Sequence, residues 1–294
     1  MQKNKKTEIN KMQFVTIKND FLEVKIYLLG AEIKSVKKDG VERIFTGDEK
    51  FWHGSAPILF PVAGSLKDGC YYYKGQKYEL GSHGFARKKT FEVFSLSETC
   101  ATFLLKSDEQ TKISYPFDFN FFVTYSLKNS SLKVTYKIEN KSQTEMWALF
   151  GCHESYAISG DISEYFVEFE KDENLLSRVV ERAALVGDNY DDFGKNTRLL
   201  KLTPNVFAHD TAIFTDIRSR KVTLKKGDQK QAELEFDTKN LLIWTVPGAP
   251  FVCLEAWQNY PDTLYTDGDI LKKDGVIIIP AGSFIKNEHM ITYC

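Results

Sequence analysis

No stretch of this 294-residue chain approaches the roughly 18 uninterrupted apolar residues that a membrane-spanning helix requires, so a membrane is not expected as a partner. Charge of one sign is lacking as well, because 39 basic and 40 acidic residues leave a formal net charge of −1. Without a positive field nothing draws the chain to phosphate backbones, and nucleic acid is excluded as a partner on the same ground. Cysteine is sparse. Cys70, Cys100, Cys152, Cys253 and Cys294 are odd in number and scattered, which argues against a disulfide framework and fits a reducing, cytoplasmic setting. There is no Cys-x-x-Cys, no His-x-His and no His pair at helical metal spacing, so no metal is expected. Gly-x-Ser-x-Gly, the phosphate loop and the dinucleotide fingerprint are also missing, which removes the usual support for hydrolase, kinase and dehydrogenase chemistry and leaves no cofactor to expect. Residues 1–11 are Lys-rich with no apolar run behind them, unlike a signal peptide or anchor, and read as a flexible arm ahead of one domain at 12–294.

What the chain has in abundance is aromatic side chains, 22 Phe and 14 Tyr, in short apolar runs set between turn signals. That combination favours strands and an all-β fold. Residues 131–138, Ser-Leu-Lys-Val-Thr-Tyr-Lys-Ile, alternate cleanly and predict a half-buried strand. Strands are likewise expected at 119–128, 146–153, 241–246 and 251–257, with hairpins turned at Asp39-Gly40 and at Gly75. Residues 51–69, interrupted by prolines and glycines, suit a loop across the mouth of a sheet. Between 174 and 202 the pattern weakens, and 188–194, rich in Asp and Asn, is read as loop.

Three places carry the residues for chemistry. In Ser82-His83-Gly84-Phe85-Ala86-Arg87, an extended backbone would project His83, Phe85 and Arg87 together: a polar ring, an aromatic plate and a fixed charge. Such a surface suits a neutral molecule rich in hydroxyls, whose C–H faces need the plate and whose oxygens need donors, so a carbohydrate leads. The strand at 146–153 would put Gly151 beside His153 and leave space there. The strand at 251–257 would set Phe251, Cys253, Glu255 and Trp257 on one face, where a carboxylate is costly unless it has partners or a task. Taken singly, each His and the Glu would more commonly be a satisfied structural group.

Together these pieces are similar in kind and order to the aldose 1-epimerase superfamily. The resemblance rests on Pro57-Ile58-Leu59-Phe60-Pro61, Leu66-Lys67-Asp68-Gly69, His83-Gly84-Phe85-Ala86-Arg87, Gly151-Cys152-His153, His209-Asp210 and Glu255-Ala256-Trp257 with Asp262 and Gly268. It runs from about Phe14 to the end and resembles most the branch carrying His-Gly-Phe-Ala-Arg. It implies a large antiparallel β-sandwich, the galactose mutarotase-like supersandwich, with an open cleft for a hexose. It further implies Glu255 as the base that takes the C1 hydroxyl proton, His153 as the acid at the ring oxygen, His83 as a second donor and Asp210 as a hydroxyl contact. Arg87, Phe85 and Trp257 complete the expected binding surface.

Some positions depart from the family pattern. Ser65 stands where many relatives carry arginine, Glu154 and Ala256 where they carry proline, and His53 near a phosphate-contacting arginine of the glucose-6-phosphate 1-epimerases. The implied function is a hexose mutarotase acting on galactose or glucose. A hexose-6-phosphate 1-epimerase and a non-catalytic sugar-binding or sensor protein stay open as alternatives, as does a homodimer.

Overall fold

The computed structural model describes residues 13–294, so the arm expected at 1–11 lies outside the described residues. The described chain is nearly all antiparallel strand. Its frame is a nine-stranded sheet and an eight-stranded sheet that share one core, with a four-stranded sheet over Phe14–Lys18, Leu22–Tyr27, Ile33–Lys38 and Val41–Glu42 packed against them. This is the all-β fold that the aromatic-rich, turn-punctuated sequence predicts, in the sandwich form that the family resemblance implies.

The two large sheets differ in how they bury their strands. In the nine-stranded sheet Phe119–Lys128 and Ser131–Asn140 pair along their whole length, and buried and partly exposed residues alternate. Phe121, Val123, Leu132, Val134 and Ile138 face the core and the opposite face is wet. Each such side chain, fully withdrawn from water, contributes roughly 1.5–3 kcal/mol. In the eight-stranded sheet the central strand Phe251–Trp257 is buried at every position. Its inner face meets the shared core through Val252, Leu254 and Ala256. Its outer face is covered by loops, among them the segment carrying Trp52. A sheet roofed on both faces has room for a cleft under the roof, and the site lies there.

Hairpins form where the sequence places them. Lys74 and Gly75 take positive φ between Cys70–Tyr73 and Gln76–Glu79, and Asp39 and Gly40 do so after Ile33–Lys38. Two expectations need correction. The strand expected over 146–153 is broken: Met146–Ala148 pairs with Ile277–Ile279, whereas Gly151–Cys152 joins the eight-stranded sheet. And 188–194 is not a loop throughout, because Val186–Asp192 pairs with Leu176–Val180 as the last strand of that sheet. An edge strand buries little and tolerates Asp and Asn, whose charge also discourages further pairing, so hydrophobic pattern is blind to it. A short helix, Glu109–Ser114, also escapes the strand reading; Asp108 accepts from the Thr111 N–H in a capping box. No helix of the described residues is long and apolar enough to cross a membrane.

The four-stranded sheet is tied to the nine-stranded one by the buried Tyr125 hydroxyl, which donates to the Ala31 carbonyl at 2.7 Å. Tyr125→Phe removes the donor and leaves that carbonyl unpaired, so a loss of about 1–2 kcal/mol is expected. Urea unfolding followed by circular dichroism measures it, and an unchanged midpoint would mean that the bond contributes nothing.

Candidate active site

The cleft is built from the cross-strand register of Phe251–Trp257. Gly151 pairs with Trp257 and Ser155 with Cys253. Carrying that register through the intervening residues sets His153 opposite Glu255 and Glu154 opposite Leu254, and the Leu254 N–H does donate to the Glu154 carbonyl at 3.3 Å. Directly opposed residues share a face. His153, Glu255 and Trp257 therefore emerge together into the cleft, while Cys152, Glu154, Leu254 and Ala256 turn to the core.

The cleft has a volume of about 270 Å³, near the small end of the ~300–1,000 Å³ usual for ligand sites. On its floor His153 Nδ1 lies 3.4 Å from a Glu255 oxygen. His153 is 9% and Glu255 1% exposed, and both His153 Nδ1 and Glu255 Oε2 are buried without a hydrogen-bond partner. Burial above all, and after it the charge of Glu154, pushes the Glu255 carboxyl well above the usual carboxylate range. Burial chiefly, then His83 and Arg87, pushes His153 well below the usual imidazole range. Desolvation in the cleft thus favours the neutral form of each.

His83 closes the cleft from another side, edge-on to His153 and to Trp257 at ring separations of 5.7 and 5.4 Å. Its Nδ1 accepts from the Gly64 N–H at 3.2 Å, which assigns the ring proton to Nε2. Burial and then Arg87 lower His83 to about 3, so it is a neutral donor across the ordinary pH range. Arg87 also lines the cleft; one guanidinium nitrogen donates to the Ser82 carbonyl at 3.2 Å and its Nε is buried without a partner. Asp210, at φ 73°, holds a rim position where its carboxylate accepts from Trp244 Nε1 at 3.1 Å.

The segment 82–87 is not extended. His83 and Gly84 take φ of 63° and 66°, and Ala86–Lys88 forms a 3-10 turn. A Cβ on Gly84 would sit 2.2 Å from the Phe60 carbonyl oxygen, so the chain passes Phe60 at a distance only glycine permits. The turn breaks the alternation, and Phe85 leaves the company of His83 and Arg87. Its ring packs among Phe60, Tyr115 and Phe119 and does not line the cleft. The aromatic plate expected of Phe85 is supplied by tryptophans. Trp52 stacks on His153 at 4.9 Å and 26° and meets Trp244 edge-on at 5.4 Å. Three of the four tryptophans, Trp52, Trp244 and Trp257, line the cleft. Sequence reasoning missed Trp52 and Trp244; their rarity and their position at loop and strand ends were the available signal.

The remaining motif residues are placed otherwise. Ser65 does line the cleft and its hydroxyl donates to that of Ser82 at 3.3 Å. His209 pairs with Asp191 at 2.8 Å outside the cleft lining. Asp262 is held in a buried ion pair with Lys273 and accepts from the Lys67 N–H at 2.9 Å. Two groups bring metal-ligating atoms within 4.8 Å of one another: His153, Cys253 and Glu255, and Cys152, Glu154 and His289. Burial pushes the Cys253 and Cys152 thiols and the Glu255 carboxyl up. In the second group Glu154 is bonded to His289 and Cys152 Sγ accepts from the Ala256 N–H. What the arrangement offers is a proton acceptor, proton donors and flat apolar faces around a space for one small polyol.

A family model described as aldose 1-epimerase matches residues 13–282. The chain is 30% identical over 274 residues to the plasmid-encoded protein LacX of Lactococcus lactis subsp. lactis, covering 88% of this chain and 91% of that protein. A solved galactose mutarotase related enzyme from Lactobacillus acidophilus superposes with a TM-score of 0.88 at 30% identity, over 96% of this chain and 97% of that one. A galactose mutarotase-like protein from Lactobacillus casei superposes with a TM-score of 0.90 at 26% identity, over 96% and 100%.

One position tests how the cleft floor is held. A Cβ on Gly151 would meet the Trp257 ring at 2.7 Å and Ala63 Cβ at 3.2 Å. Gly151→Ala is therefore expected to displace Trp257 and to cost roughly 1–3 kcal/mol by overpacking. Near-ultraviolet circular dichroism and urea unfolding read the two effects, and an unaltered aromatic spectrum at full stability would refute this account.

Proposed function

The chain belongs to the aldose 1-epimerase family, and from that premise we propose that the cleft binds one hexose and interconverts its α and β anomers by acid–base ring opening. The observation that carries this reading is the buried, unpartnered pair His153 and Glu255, 3.4 Å apart on the floor of a cleft of monosaccharide size. Opening a hemiacetal requires a proton taken from the C1 hydroxyl and one delivered to the ring oxygen as the C1–O bond breaks. Glu255 is the base. Its raised proton affinity brings it nearer to a hydroxyl, provided that it is ionised when sugar is bound. His153 is the acid. A neutral imidazole gives its Nε2 proton to the ring oxygen and recovers one at Nδ1 from Glu255, so that the net proton count is unchanged. Rotation about C1–C2 and the reverse steps invert the anomer.

The other groups bind and orient. His83 donates from Nε2 to the ring oxygen or a neighbouring hydroxyl. Asp210 accepts from hydroxyls, and Trp52 and Trp244 offer faces to C–H groups. A second reading, a hexose 6-phosphate as substrate, is favoured by one observation: Arg87 brings a guanidinium with an unpartnered Nε to the cleft. Against it, the cleft lining has no second permanent cation among the described residues.

Proton NMR exchange between anomers of galactose, glucose and glucose 6-phosphate is the test, in dilute buffer that does not itself catalyse. Acceleration over buffer is expected, and Glu255→Gln and His153→Asn should each lower it by about 10²-fold or more. Exchange at the buffer rate for all three sugars would remove the enzyme reading in favour of a binding protein. A full rate in Glu255→Gln would remove Glu255 from the base role. With the sign set by a base of raised proton affinity, kcat/KM should fall as pH drops through the Glu255 transition, well above the pH at which an exposed carboxylate titrates. A rate that is flat down to the ordinary carboxylate range would contradict this.

A further inference from the structure

Behind the cleft floor lies a polar cluster that the reaction does not use. Glu154 is 4% exposed, and His289, 4% exposed on the strand Phe284–Tyr293 of the opposite sheet, approaches it with Nε2 2.8 Å from Oε1. The second carboxylate oxygen, Oε2, is buried without a partner, as are the hydroxyls of Tyr156 and Tyr293. The pair therefore bridges the two large sheets through their shared core. Its carboxylate stands one residue from His153 and across the strand from Leu254, the neighbour of Glu255.

We propose that Glu154, clamped by His289, is a positioning residue whose buried negative charge faces Glu255 from behind and keeps that carboxylate a strong proton acceptor toward the sugar. This rests on the reading of Glu255 as the base. His289, with Nε2 2.8 Å from its carboxylate, favours an ionised Glu154. Burial acts to raise its proton affinity, but His289 and then Cys152 outweigh burial and leave the net direction downward. Around Glu255 itself stand His153 across the strand, Cys253 on its own strand, Asp210 at the rim, and His83 and Arg87 on the far side. Of these and Glu154, the largest charge acting on Glu255 is Glu154, ahead of Asp210. A like charge disfavours ionisation of its neighbour, and in a dry interior it does so strongly.

The test is Glu154→Gln, which keeps the shape and an acceptor for His289 while removing the charge. The carboxyl infrared band of Glu255, identified as the band lost in Glu255→Gln, is titrated with and without the substitution, and needs no activity. Its midpoint is expected to move to lower pH by about one unit. The acid limb of kcat/KM for anomer exchange should move with it, with KM little changed and the plateau rate lower because the base is weaker. A midpoint that stays in place in a folded variant overturns the inference. If the single variant fails to fold, Glu154→Leu combined with His289→Leu leaves neither partner buried alone and must show the same downward movement; no movement there also overturns it. Absence of any anomer exchange in the unaltered protein would instead strike the proposed reaction, while the infrared titration still decides whether Glu154 acts on Glu255.

Discussion

Everything at this site depends on one strand being buried on both faces. Phe251–Trp257 has no exposed residue, so each alternate side chain must find a dry place, either in the core between the sheets or under the loops on the outside. Glu255 takes the second option and Leu254 the first. The neighbouring segment 151–155 runs antiparallel in fixed register, which hands His153 to the outer face and Glu154 to the inner one. A slip of the segment 151–155 by one residue would exchange His153 and Glu154 between cleft and core, and register of this kind is well specified because both faces are dry.

Burial of the strand then sets the chemistry. A carboxylate and an imidazole in the open would ionise at their ordinary values; here desolvation pushes the Glu255 carboxyl upward and the His153 imidazole downward, so that each favours its neutral form. The tryptophans contribute by excluding water: Trp52 lies flat on His153, and Trp244 holds the rim through Asp210.

Much of this was legible in the sequence, and what was legible had a regular period. The clean alternation of 131–138 yields the observed strand Ser131–Asn140, and the strand expected at 251–257 is present with Glu255 and Trp257 on one face. Period also misled. In 82–87 the alternation assumed for His83, Phe85 and Arg87 fails because His83 and Gly84 adopt positive φ, so Phe85 goes to the core while the two polar groups reach the cleft. The edge strand Val186–Asp192 has no hydrophobic period to read, since beyond Val186 and Gly187 its residues are largely exposed and it is held by backbone pairing. Trp52 and Trp244 come from distant parts of the chain and meet only through the fold, and no local pattern announces such a meeting. The inter-sheet pair of Glu154 and His289 is hidden in the same way, by a sequence separation of 135.

The Gly64 amide that holds Nδ1 of His83 makes a modest bond of 3.2 Å. Where an imidazole is oriented by a carboxylate, its donor strength rises and falls with the charge of that carboxylate. A backbone amide has no charge to lose. The proton that His83 presents at Nε2 is therefore fixed by a peptide bond and not by the ionisation of a neighbouring side chain.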